Sequence, residues 1–269
     1  MRRKPATAKI NLALVVGPRR EDGKHEVTTV LQRIDLADRI SLAPAARLEI
    51  RGFAEDTLVR DALLALATAA GVEPTWSVRI DKRIPVAAGL GGGSSDAATA
   101  LRLANETLTE PLPAERLHAI AAGIGADVPF FLAQGPQLGR GDGSALAPLD
   151  LPQDYWVLIV LPAGARKPAT AAVYDAFDGV IGFEERQAAL RRVLAKARRP
   201  SDLAELPPND LVTSPLADEL RELGAFRADV SGAGPAVYGL FVRREPAEAA
   251  RRSVASRGDT WLTIPTWYG

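Results

Sequence analysis

The most constraining feature of this 269-residue chain is the run Gly89-Leu90-Gly91-Gly92-Gly93-Ser94-Ser95-Asp96. Glycines at 89, 91, 92 and 93 let the backbone approach a ligand without the obstruction of Cβ atoms, and successive free N–H groups can form an anion-holding nest. Behind the run, Ser95 to Asn105 predicts a helix whose Ala97, Ala98, Ala100, Leu101, Leu103 and Ala104 nearly encircle it, the pattern of a buried helix. Its N-terminal partial positive charge points where the nest opens. Together these describe a phosphate cradle; the plainer alternative is a flexible turn ahead of a capped helix. The cradle is not a Walker loop, because Gly93 is followed by Ser94 where Lys is required. It is not a dinucleotide fingerprint either, since the sixth position counted from Gly89 is Ser94 instead of Gly or Ala.

Around the cradle the chain alternates strand and helix signals. Ile10, Leu12, Leu14 and Val16 alternate with other residues from Ala8 to Val16, so that Lys9 and Asn11 share a strand face. A charged loop is expected over 17–24, then strands over 27–36, 39–42 and 47–52. Helices are expected over 58–70, stopped by Gly71, and over 114–123, with a short one over 128–133. A strand over 76–80 and a hairpin over 137–149, turning at Gly141-Asp142-Gly143, complete the first part. The length exceeds that of one ordinary domain, and the proline-flanked stretch Pro148 to Pro152 is the expected boundary, giving domains 1–152 and 153–269. Beyond it, strands are expected at 155–161, 228–230, 236–242 and 261–264, and helices at 169–177, 183–197, 216–223 and 246–254.

Composition enters as a set of exclusions. Lys plus Arg and Asp plus Glu both total 33, which leaves no positive field to gather a nucleic acid. The absence of Cys removes disulfides, thiolate metal sites and a cysteine nucleophile, and suits a reducing cytoplasm. No apolar run approaches the roughly 20 residues of a membrane helix, and Lys9 and Asn11 interrupt the place where a signal peptide needs an apolar core. With two histidines and no Gly-x-Ser-x-Gly elbow, zinc and serine hydrolases are poor fits.

Three motifs in order now carry a resemblance: Lys9-Ile10-Asn11-Leu12, Pro85 to Asp96, and Ser231-Gly232-Ala233-Gly234-Pro235. The chain resembles the GHMP kinases. It is most similar to the branch that phosphorylates a cytidine diphosphate methylerythritol in isoprenoid biosynthesis, through Gly23-Lys24-His25, Gly125 to Phe130 and Asn209-Asp210-Leu211. The resemblance implies a two-domain α+β fold, with an N-terminal domain like domain 2 of ribosomal protein S5 and a ferredoxin-like C-terminal domain. It implies ATP with Mg2+, a small-molecule acceptor, and a monomer or homodimer.

The site residues implied are Pro85, Val86, Ala87, Ala88, Gly89, Leu90, Gly91, Gly92, Gly93, Ser94 and Ser95 for ATP. Asp127 becomes the base for the attacking hydroxyl and Lys9 its partner, a cation that steadies developing charge. Asn11, His25 and Tyr174 are implied to hold the acceptor, His25 by hydrogen-bonding cytosine; no metal ligand is implied. Read from the residues alone, Asp127 could instead cap a helix beginning at Pro129, Lys9 and His25 could be solvated, and Tyr174 could be core. Likewise, 231–235 could be a tight turn and Asn209 an N-cap. Lys24 stands where the family has a ring that stacks on the base, which keeps open a GHMP kinase for another alcohol. A non-catalytic nucleotide- or RNA-binding module is disfavoured by zero net charge and by the presence of both Lys9 and Asp127.

Overall fold

The computed structural model describes residues 1–53, 57–165, 170–177 and 181–267. Strand β1 (Arg2–Arg19) carries the alternation around Lys9 far beyond both expected ends, because its limits are set by pairing with β2 (His25–Pro44) along nearly its full length. For the same reason the two strands expected over 27–36 and 39–42 are one, and the expected loop over 17–24 shrinks to a turn after Arg19. Register shifts at Thr7/Ala8 and Asn11/Ala13 bend the pair without breaking it. On the other edge of β2, Arg39–Pro44 pairs with β4 (Trp76–Asp81) and Val27–Leu31 with β5 (Gln137–Gly141). β3 (Glu49–Arg51) runs parallel to β4, and β6 (Ala145–Pro148) closes the predicted hairpin with β5. The interval between β4 and β5 on β2 is taken by the chain's own C-terminal segment: Asp35 N donates to Ile264 O at 2.9 Å and Thr266 N to Arg33 O at 3.1 Å.

Helices α1 (Thr57–Ala70) and α2 (Gly92–Asn105) cover one face of this six-stranded sheet, with α3 (Ala114–Ile124) beside them. Leu31, Ile40 and Leu42 pack there against Leu63, Leu66, Ala97 and Leu101. The near-complete apolar surface of α2 is thus explained by its position: all its residues from Ser95 to Asn105 are buried except Arg102.

A second sheet is built from β7 (Trp156–Pro162), β8 (Arg227–Val230), β9 (Val237–Phe241) and β10 (Gly258–Thr263), antiparallel throughout in the order β10-β7-β9-β8. Between β7 and β8 lie α4 (Thr170–Asp175), α5 (Phe183–Lys196) and α6 (Pro215–Glu222), and α7 (Arg244–Ser253) joins β9 to β10. This is the ferredoxin-like arrangement expected. Of the helix expected over 169–177, Ala169 lies outside the described residues. α6 and α7 bury one face of this sheet through Leu158, Val160, Leu220 and Ala247. The other face, with Leu190 of α5, packs directly on β1: Ile10, Leu12, Val157, Ile159, Tyr238 and Leu240 form one apolar cluster. The Tyr238 hydroxyl donates across it to Leu12 O at 3.3 Å. The cleft between the sheets therefore has a continuous apolar floor.

Candidate active site

Helix α2 begins at Gly92, three residues earlier than the sequence suggests, because Gly91 takes the N-cap position at φ +71°. Ala87, Gly89 and Gly91 all have positive φ, at 56°, 86° and 71°. Alternation of this kind turns successive N–H groups to one side, as a nest requires. A side chain at Gly89 would place its Cβ 2.3 Å from Ser231 O, and one at Gly234 would sit 2.3 Å from Gly89 Cα. The glycine loop is thus seated backbone to backbone on the 231–235 loop, where Ser231 Oγ donates to Gly89 O at 3.0 Å and Ala236 N to Ala88 O at 3.0 Å. Residues 85–94 wall a cavity of about 760 Å³, and Gly232 and Ala233 complete that side. Ser95 differs from the rest of its motif: its side chain is buried in the fold and does not reach the cavity wall.

Lys9 is buried to 4 % exposure, with its ammonium on the same cavity. Its backbone N donates to Leu90 O at 2.9 Å, which fixes β1 against the glycine loop. Lys9 Nζ donates to Asn11 Oδ1 at 2.7 Å, and Asn11 Nδ2 donates in turn to Thr29 Oγ1 at 2.8 Å. The shared face of Lys9 and Asn11 is therefore a fixed polar chain rising from the sheet. Lys9 Nζ also lies 3.4 Å from Asp127 Oδ2, and the Asp127 side chain is 41 % exposed. The carboxylate is open to a ligand while its partner is held. Asp127 does not cap the turn that follows: Val128 takes the N-cap position of the 3-10 turn Pro129–Phe131, and no side chain caps it.

His25, Tyr174 and Lys24 line the same cavity. His25 is 6 % exposed, and its Nδ1 lies 2.8 Å from Gly17 O, which assigns the ring proton to that nitrogen. Nε2 is buried and has no partner among the described residues. The rings of Tyr174 and Phe177 each lie 6.0 Å from the imidazole. Burial, with the charge of Asp127, pushes the Tyr174 phenol above its ordinary pKa. Lys24 ties the tip of the β1–β2 hairpin to that of β5–β6, its Nζ donating to Asp142 Oδ2 at 2.6 Å. Burial of Asp142 works against its charge, but hydrogen bonds from Lys24 and Ser144 prevail and hold its pKa near about 2.

The cavity includes groups that pattern reading did not single out. Lys82 Nζ reaches Asp38 at 2.5 Å and Asp96 at 2.8 Å, both carboxylates fully buried. Burial opposes the charge of Lys82, yet the two acids outweigh it and raise its pKa. Phe53 stands beside it, the ammonium 5.7 Å from the ring centre. Asp96 closes the sequence motif Pro85 to Asp96, where it stands as an acid at the start of an apolar helix; nothing local marks Asp38 or Phe53. Asn209, read as a helix cap, is something else. Its Nδ2 donates to Val230 O at 3.0 Å and Gly232 O at 2.7 Å, and Ser214 caps α6. Asn209 braces the loop on which the glycine run is seated.

Among proteins of known family, residues 57–135 match the GHMP kinases N terminal domain and residues 187–260 the GHMP kinases C terminal domain. The 4-diphosphocytidyl-2-C-methyl-D-erythritol kinase of Geobacter metallireducens is 36% identical over 96% of this chain and 95% of its own. That of Anaeromyxobacter sp. (strain Fw109-5) is 39% identical over 93% of this chain and 85% of its own. A crystal structure of 4-(cytidine 5'-diphospho)-2C-methyl-D-erythritol kinase superposes with a TM-score of 0.80 at 32% identity, covering 98% of this chain and 100% of that one.

Proposed function

The chain belongs to the 4-diphosphocytidyl-2-C-methyl-D-erythritol kinase family of the GHMP kinases, and we propose that its cleft cavity is where the γ-phosphate of ATP is transferred to the 2-hydroxyl of that cytidine compound. The observation that carries the reading is the contact between buried Lys9 and open Asp127, inside a cavity walled by the glycine loop. Phosphoryl transfer asks a protein chiefly for positioning and for charge placed where it develops. The nest and the N-terminus of α2 take the phosphates. Asp127 accepts the proton of the acceptor hydroxyl; the hydroxyl oxygen bonds the γ-phosphorus as the bond from that phosphorus to the β,γ-bridging oxygen breaks and ADP departs. Lys9, oriented by Asn11, stabilises negative charge on the attacking oxygen.

Among the described residues no group of three His, Cys, Asp or Glu side chains is arranged to hold a metal. Magnesium, when bound with ATP, would be held largely by phosphate oxygens and water and would supply neutralisation of phosphate charge. His25 supports recognition of cytosine: in the tautomer with its proton on Nδ1, Nε2 is an acceptor with no partner among the described residues, which suits the exocyclic amine and not the carbonyl that uracil presents. Tyr174 offers one stacking face. Lys24 offers no ring, and its pairing with Asp142 favours a second reading, a GHMP kinase for another alcohol. No described helix is long and apolar enough to cross a membrane, and a cysteine-free enzyme using ATP suits the cytoplasm.

The test is ADP formation by the purified protein with ATP, magnesium and a panel of acceptors. The cytidine compound is expected to give ADP and its phosphorylated product in equal amounts. No ADP from it, with ADP from another alcohol, would replace the first reading by the second.

A further inference from the structure

Arg33 is the largest of the fully buried side chains, at 1 % exposure. A buried cation carries a heavy desolvation cost unless it is paired. Arg33 Nη2 donates to Phe130 O at 2.9 Å and to Ala133 O at 2.7 Å, Nη1 donates to Thr7 Oγ1 of β1 at 3.4 Å, and the guanidinium carbon lies 5.2 and 5.5 Å from the ring centres of Phe130 and Phe131. Burial, with Arg102 nearby, lowers its pKa to about 10, so it keeps its charge at neutral pH. Apart from Thr7, these partners belong to the turn that directly follows Asp127. Arg102 of α2 also donates to this turn, to Phe131 O at 2.9 Å.

Register gives the arrangement its meaning. Arg33 of β2 is the direct cross-strand partner of Lys9 of β1. Opposed residues of a strand pair project to the same face, so one rung of the sheet holds both ends of one short segment. Lys9 reaches the Asp127 carboxylate, and Arg33 grips the backbone a few residues on.

We propose that Arg33 is a positioning residue for phosphoryl transfer, fixing the 128–133 turn so that Asp127 stands at the distance from Lys9 and the glycine loop that proton removal requires. The proposal rests on the reading of Asp127 as the base. Arg33 is not among the residues that line the cavity, so its removal is expected to act on turnover and not on binding.

The experiment measures kcat, both KM values and melting temperature for the wild type, Arg33→Met, Arg33→Lys, Asp127→Asn and the Arg33→Met/Asp127→Asn double variant. Methionine fills the space without donors, and lysine keeps the charge but lacks the planar guanidinium whose Nη2 holds both carbonyls while Nη1 reaches Thr7 and the plane faces the Phe130 and Phe131 rings. Arg33→Met is expected to lose about 10- to 100-fold in kcat, the scale of a small misplacement of a reacting group, with both KM values unchanged. Asp127→Asn is expected to lose about 100- to 10,000-fold, and the double variant no more than Asp127→Asn alone. Wild-type kcat in Arg33→Met overturns the proposal, as does a loss that tracks the folded fraction or one that multiplies with that of Asp127→Asn. If Arg33→Met does not fold, Arg33→Lys is judged by the same criteria. Near-normal turnover in Asp127→Asn overturns the base reading and this proposal with it; a dead Asp127→Asn with multiplying losses overturns this proposal alone.

Discussion

His25 commits one ring nitrogen to Gly17 O and keeps the other buried with no partner among the described residues, so the side chain is polarised toward whatever enters the cavity. An acceptor placed this way discriminates by leaving a wrong ligand, or itself, unsatisfied, a penalty of about 1–3 kcal/mol. His25→Leu is accordingly expected to raise KM for the cytidine acceptor by about 10- to 100-fold, leave KM for ATP unchanged, and narrow the preference over the uridine counterpart. An unchanged preference would remove His25 from base recognition. At this scale sequence motifs picked out Lys9, Asn11, His25 and Asp127, all of which line the cavity, but could not separate Asp127 from a helix cap. It missed Arg33, whose surroundings in the chain mark it only as one more strand residue. What distinguishes these side chains is who faces them, and that is not local.

Among the elements, the two glycine loops form a pair that neither sequence segment announces. Gly234 has no positive φ to demand glycine, yet a Cβ there would meet Gly89 N and Ala88 O at 2.3 and 2.4 Å, backbone atoms that cannot rotate away. Gly234→Ala should force the loops apart, costing about 1–3 kcal/mol in stability and raising KM for ATP. Gly123, inside α3 with nothing within 4 Å, is the control. Gly123→Ala is expected to add up to about 1 kcal/mol and leave the kinetics alone. Melting temperatures and initial rates on both variants check the pair, and equal behaviour would mean the close approach at Gly234 is relieved elsewhere. Helices were the most legible elements because their apolar stripes are periodic. The extent of β2 was not, because Asp38 looks like a strand end until its buried carboxylate is seen bonded to Lys82, Arg83 N and Ile84 N.

For the whole molecule, the cluster of Ile10, Leu12, Val157, Ile159, Tyr238 and Leu240 belongs to both sheets at once, and the C-terminal segment at Ile264–Thr266 completes the edge of β2. Two sheets joined by a common core should unfold together, so calorimetry is expected to show one transition with equal calorimetric and van't Hoff enthalpies. Ile10→Ala should lower that single transition by about 2–5 kcal/mol of stability; a second, separately melting transition would show that the sheets are independent. The sequence by itself determined which backbone could cradle phosphate, since only glycine permits those approaches, and which strand face carries Lys9 and Asn11, since that follows from a period of two. The resemblance already paired Lys9 with Asp127, and the tertiary structure puts them 3.4 Å apart; it alone decided that Arg33 holds the turn behind Asp127 and that the 231–235 loop seats the glycine run. Those contacts join residues distant along the chain, and burial and strand register, not local preference, bring them together.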